Sequence, residues 1–213
     1  PLGYSPSTCL EGRVVAVTGA SAGIGRALCL QLAALPNVRV VGLARRGDRL
    51  EGLADEIRKR HESERAASTS AASSPPSPEF LPVICDVTRE GEVAALPRIV
   101  RARWGDAAGV DVLINNAGMS RHDSALLDGN PASWAAMLNV NVLAPALLTR
   151  VFVADLRERI AKAAAKAESE EAAATSKERG DKKATSSTGA PPAAAGGASS
   201  VPSHARPAHV VNV

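Results

Sequence analysis

The sequence predicts an α/β fold, a doubly wound parallel sheet, and three observations carry that expectation. Short β-branched runs alternate with helical patterns, as a parallel sheet with crossover helices requires. Of the 213 residues 45% are hydrophobic but only 2% aromatic, so the core must be built from Val, Leu, Ile and Ala. That suits a sheet covered by helices better than an aromatic-rich sandwich. The tracts that break the alternation are of low complexity and read as inserts between elements rather than as elements.

The first strand is "RVVAV" (13–17). Ile24, Leu28, Leu32 and Leu35 then recur at helical spacing, and "PN" at 36–37 closes that helix. "VRVVGLA" (38–44) is the second strand, followed by a helix with Leu50, Leu53, Ala54 and Ile57 on one face. "FLPVIC" (80–85) is the third strand, and Pro82, which has no N–H to donate, argues for a sheet edge. Val93, Leu96, Ile99 and Val100 mark the next helix, which Pro97 is expected to bend. "VDVLI" (110–114) is the fourth strand. "NP" at 130–131 offers an N-cap and a first-turn proline for a long helix through Trp134 and Leu147. "HVVNV" (209–213) has the look of a fifth strand.

A single domain over 1–213 is expected, with two inserts. Residues 66–78 contain only Ala, Ser, Thr and Pro, too little apolar surface to offset the entropy of ordering, so 61–79 reads as a disordered loop insert. A second such tract runs from Ala184 to Pro207, where only Val201, His204 and Arg206 depart from Ala, Ser, Thr, Gly and Pro. Before it, the Ala-rich, mixed-charge stretch from Arg157 to Lys183 reads as a solvated helix continuing from "PALLTRVFVADL". The region 157–208 is therefore a charged helical extension followed by an insert.

The charge balance is 25 basic against 22 acidic residues, a net of +3, and 157–183 alone hold 8 basic and 6 acidic side chains. The basic excess is local and leaves no nucleic-acid footprint. Cys9, Cys29 and Cys85 form no CxxC and the four His residues lie far apart, so neither a metal site nor a disulfide framework is expected, and a reducing compartment fits. No uninterrupted apolar run approaches the roughly 18 residues of a membrane helix. A cytoplasmic protein is the expectation, although the chain opens on Pro1 and not Met.

"TGASAGIG" (18–25) falls between the first strand and the first helix, where a phosphate-binding turn belongs. Gly19 permits the tight turn, Gly23 lets backbone N–H groups approach a pyrophosphate, and Gly25 lets helix and strand pack closely. Ser21, Ala22 and Ile24 complete the candidate cofactor-binding turn. By itself the spacing also fits an ordinary Gly-rich βα turn.

Together with "DV" at 86–87 and "NNAG" at 115–118, the pattern resembles the short-chain dehydrogenase/reductase family over Gly12 to Leu148 plus the terminal strand. The stretch from Gly109 to Arg150 is most similar to NADPH-linked reductases of ketosteroids and other carbonyls. The resemblance implies a Rossmann-type sheet, here incomplete on its C-terminal side, and a homo-oligomeric parent. It implies that Asp86 accepts from the adenine amino group with the Val87 backbone beside it, and that Asn116, Ala117 and Gly118 line the nicotinamide ribose. Asp86 read alone could equally be an N-terminal helix carboxylate, and "NNAG" a strand-ending turn. Asn141, seven residues past Trp134, matches the family's catalytic Asn, which kinks its helix and holds a water in a proton relay; Asn139 is the neighbouring competitor.

The cofactor can be read from the second strand. An acid about 20 residues past the glycines would bond the 2′-OH of NAD, whereas Arg suits the 2′-phosphate of NADP. Gly25 plus 19 is Ala44, followed by Arg45 and Arg46, so NADP(H) is expected. The same pair could be solvated Arg residues opening a helix. Many NADP-preferring members of the family carry a basic residue where this chain has Ala22.

The family's Ser and its Tyr and Lys, four residues apart, follow the fifth strand. This chain has one tyrosine, Tyr4, which precedes the glycine motif, with Thr8 four residues on. The expectation is thus an inactive N-terminal fragment of an NADP(H)-dependent reductase acting on a small carbonyl or alcohol. The alternative is a dinucleotide-binding or interaction module without a catalytic half. The sequence after Val213 discriminates them.

Overall fold

A computed structural model of the chain describes residues 9–67, 79–184 and 209–212. Five strands form one parallel sheet: β1 (Val14–Thr18), β2 (Arg39–Ala44), β3 (Glu79–Ile84), β4 (Val112–Asn115) and β5 (His209–Asn212), in the order β3-β2-β1-β4-β5. The helices are α1 (Gly23–Ala33), α2 (Gly47–Ala67), α3 (Glu90–Trp104), α4 (Pro131–Leu138) and α5 (Ala144–Ala184), with a π-helical turn at Asn139–Leu143 between the last two.

Strand residues alternate between the two faces, and each face buries its own helices. Val15, Val17, Val40 and Val112 pack with Cys29 and Leu32 of α1 and with Leu50, Leu53 and Ile57 of α2. Val14, Ala16, Val41 and Leu113 pack with Val93, Leu96 and Val100 of α3 and with Ala144, Leu148 and Phe152 of α5. The sheet is doubly wound, as the alternation predicts. β3 pairs only with β2 and forms one edge, where Pro82 withholds no needed N–H.

Two readings change. The buried residues of α1 are Gly25, Cys29, Leu32 and Ala33, while Ile24 is 63% exposed. Small residues let α1 approach the sheet, and that close contact outweighs the burial of larger Ile24 and Leu28. The helix ends at Ala33, and Asn37 takes a left-handed conformation (φ 57°) that turns the chain into β2. The insert at 61–79 is narrower than expected, because α2 runs to Ala67 and β3 opens at Glu79. What was expected of 68–78 and of 185–208 lies outside the described residues. Tyr4 does too.

The chain divides into two compact units, Pro1–Leu156 with Ala208–Val213, and Arg157–Pro207. In the second unit every side chain from 160 to 171 is exposed, and Lys162–Glu158 and Lys166–Glu170 pair along the helix, so that stretch is solvated on all sides. By length and composition alone, Pro131–Glu171 would suffice to cross a membrane. Within it, Ala144, Leu148 and Phe152 are buried in the core of the first unit, whereas Leu138, Val142 and Leu143 are exposed.

Candidate functional site

β1 and β4 are adjacent, yet the chain leaves them in opposite directions across the sheet, toward β2 and toward β5. The loops beyond their C-terminal ends diverge and open a crevice, the usual place for a ligand in such a sheet. Thr18 closes the base of that crevice. Its Oγ1 accepts from the amides of Asn116 (2.9 Å) and Ala117 (2.8 Å), and its carbonyl accepts from Asn116 Nδ2 (2.8 Å). The glycine turn and "NNAG" are thereby stapled together. Asn116 spends its side-chain amide on that staple.

The glycines of the turn differ in what surrounds them. A Cβ on Gly25 would lie 2.6 Å from the Gly19 carbonyl oxygen and closer still to the Asn116 amide, so only a bare backbone fits there. Gly23 has φ 57° and nothing within 4 Å of a would-be Cβ, an open cradle over the turn. Ala22 begins α1 without a side-chain cap, and no acidic residue occupies the first turn, which leaves the helix N–H groups facing the crevice. This donor set and its open space fit an extended anion such as a dinucleotide pyrophosphate. Ile24 stands exposed at the rim.

Arg46 forks onto Ser21: Nε and Nη2 donate to Oγ at 3.1 and 2.8 Å, and Ser21 is 6% exposed. Arg45 is exposed beside it. Asp86 follows β3, and its Oδ1 accepts from the Thr88 amide (3.0 Å) and hydroxyl (2.7 Å). Burial works to raise the Asp86 pKa, but the Thr88 hydrogen bonds and the charges of Arg45 and Arg89 outweigh it, so the carboxyl is held below its ordinary value. Val87 is buried at 8% exposure in the core.

Across the crevice, the Ala144 amide donates to the Asn139 carbonyl, the five-residue step of a π-helical turn. That turn displays Asn141, whose Oδ1 accepts from the Met119 amide and whose Nδ2 donates to the Met119 carbonyl, both at 2.9 Å. A Cβ on Gly118 would sit 3.5 Å from the same Oδ1. Asn141, and not Asn139, is the asparagine engaged with the loop after β4. A family model for short chain dehydrogenases matches residues 13–164. The chain belongs to that family.

Short chain dehydrogenase tazN of Aspergillus terreus is 39% identical over 144 residues, 68% of this chain and 28% of that protein. Dehydrogenase/reductase SDR family member 11 of Bos taurus is 37% identical over 147 residues, 69% of this chain and 50% of that protein. The chain spans about half the length of the curated relatives it matches, or less. A metagenomic short-chain oxidoreductase solved in complex with NADP superposes with a TM-score of 0.53 at 35% identity, over 69% of this chain and 57% of that one. L-sorbose reductase from Gluconobacter frateurii, complexed with NADPH and L-sorbose, gives 0.56 at 27% identity over 70% and 49%.

Three residues of this short-chain dehydrogenase have roles that the sequence reading did not assign, although Thr18 and Asn115 fall within its motifs. Thr18 acts through one hydroxyl on amides 98 and 99 positions away, for which no periodic signal exists. Asn115, 4% exposed, donates to Asn212 Oδ1 at 2.9 Å and ties β4 to β5. Met119 contributes only its backbone.

Proposed function

We propose that this chain carries the dinucleotide-binding part of an NADP(H)-dependent oxidoreductase, which transfers hydride between a nicotinamide and a carbonyl or secondary alcohol. The observation that carries the reading is the Arg46 fork on Ser21. It sets a guanidinium beside the glycine turn, where a 2′-phosphate would meet both, and Ala44 leaves no acid there to favour a 2′-OH. The NADP and NADPH bound in two of the related structures support it.

Bound at the crevice, the cofactor supplies the hydride. Gly23 and the open N-terminus of α1 would hold the pyrophosphate, Asp86 and Val87 would flank the adenine, and the Ala117 and Gly118 backbone would line the nicotinamide ribose. Thr18 and Asn116 hold these parts in register. Asn141 can order a water beside Gly118, but no phenol follows Tyr4 to give a proton to the alkoxide. That omission forgoes the roughly 100-fold to 10,000-fold that a positioned acid contributes.

The 213-residue chain, incubated with NADPH and a panel of ketones and quinones, is expected to oxidise NADPH no faster than buffer. Steady turnover abolished by Asn141→Ala would overturn the reading of the site as incomplete.

A further inference from the structure

Behind Ser21 lies a cavity of about 420 Å³ between the first turns of α1 and α2, lined by Ser21, Ala22, Arg26, Arg49, Gly52 and Leu53. Its two cations are not equivalent. Arg26 pairs with Glu56 on α2, and Glu56 also accepts from Arg60 at 2.7 Å. Arg49 forms no ion pair among the described residues. It stands three residues past Arg46, which immediately precedes α2, and lines the same cavity as Ser21. Ala22 brings no charge to the opposite wall and, being small, leaves the cavity open.

We infer that Arg49 is a further determinant of cofactor choice, and that this cavity receives the outer oxygens of an adenosine 2′-phosphate whose inner oxygens meet Ser21 and Arg46. The inference rests on the NADP(H) reading above and deepens it. A phosphate monoester carries close to two negative charges at neutral pH and three acceptor oxygens, more than one guanidinium fork can satisfy. Arg46 already gives two donors to Ser21, and the carboxylate beside Arg26 neutralises that cation. Arg49 is the uncommitted charge with room in front of it. Gly52 widens the same space, since a Cβ there would meet nothing within 4 Å.

Adenosine 2′,5′-bisphosphate and adenosine 5′-monophosphate, which differ only in the 2′-phosphate, are suitable probes for calorimetric titration of the full chain. The unmodified chain should prefer the bisphosphate. Arg49→Gln should weaken bisphosphate binding about fivefold to twentyfold and leave the monophosphate unchanged, the range for loss of one charge-assisted contact at a partly solvated site. Arg49→Lys, which keeps the charge, should retain more than half of the preference on a logarithmic scale. Arg49→Gln binding the bisphosphate like the unmodified chain would overturn the inference alone. Equal affinity of the unmodified chain for the two probes would overturn the underlying NADP(H) reading, and this inference with it.

Discussion

The Asn141 side chain and the Met119 backbone are bonded in both directions, amide to Oδ1 and Nδ2 to carbonyl, each at 2.9 Å. A single carboxamide thus reproduces a β-bridge between a π-helical turn and the loop after β4. It fixes the distance across the crevice from the side opposite the glycine turn.

Asn141→Ala removes both bonds and leaves the helix able to relax to ordinary α geometry. Two exposed hydrogen bonds correspond to about 1 to 2 kcal/mol of local stability. The Met119 amide should accordingly exchange with solvent roughly fivefold to thirtyfold faster, with little change in the global unfolding midpoint. Unchanged exchange at Met119 would show that the loop is held by other contacts.

The glycine turn gives a contrast between two substitutions. Gly25→Ala drives a methyl against the Gly19 carbonyl and the Asn116 amide, and should cost about 2 to 4 kcal/mol, since backbone on one side cannot yield. Gly23→Ala meets no atom and pays only for its left-handed φ, about 1 to 2 kcal/mol. Thermal midpoints should therefore fall further for Gly25→Ala. The reverse order would contradict the stapled geometry of the turn.

Two buried thiols make stability depend on alkaline pH. Burial pushes Cys29 from the ordinary 9.0 to about 12, and burial together with the charges of Glu92 and Asp86 pushes Cys85 to about 11. Because the folded values lie above the unfolded one, unfolded thiols ionise first. Their contribution is fully present below pH 9 and is lost as pH rises toward 11 to 12. Urea midpoints should decline from pH 9 upward, and less steeply in the Cys29→Ala, Cys85→Ala double variant. Identical slopes in the two proteins would contradict this account.

Much of the fold was legible because valine-rich runs such as "VVAV" (14–17) and "VV" (40–41) have few other uses, and because Asn130 and Pro131 announce α4. Asn130 Oδ1 does accept from the Ala132 amide, at 2.9 Å. The inward face of α1 was misread because counting Leu and Ile cannot see a face made of Gly25, Cys29 and Ala33. The end of α2 was misread because the low-complexity tract beginning at Ala66 drew the charged residues 61–65 into the loop, although they continue the helix. At the site, the glycines and Arg46 are visible as residue types in order. The Thr18 staple and the Arg49 cavity exist only once distant segments meet.

The account turns on whether this chain tells NADPH from NADH. Direct titration of each dinucleotide into the 213-residue chain, followed by the fluorescence of Trp104 and Trp134, measures that. NADPH should bind at least tenfold more tightly, and the Arg45→Ala, Arg46→Ala double substitution should remove about 1.5 to 3 kcal/mol of the difference. Equal dissociation constants for the two dinucleotides in the unmodified chain would contradict it.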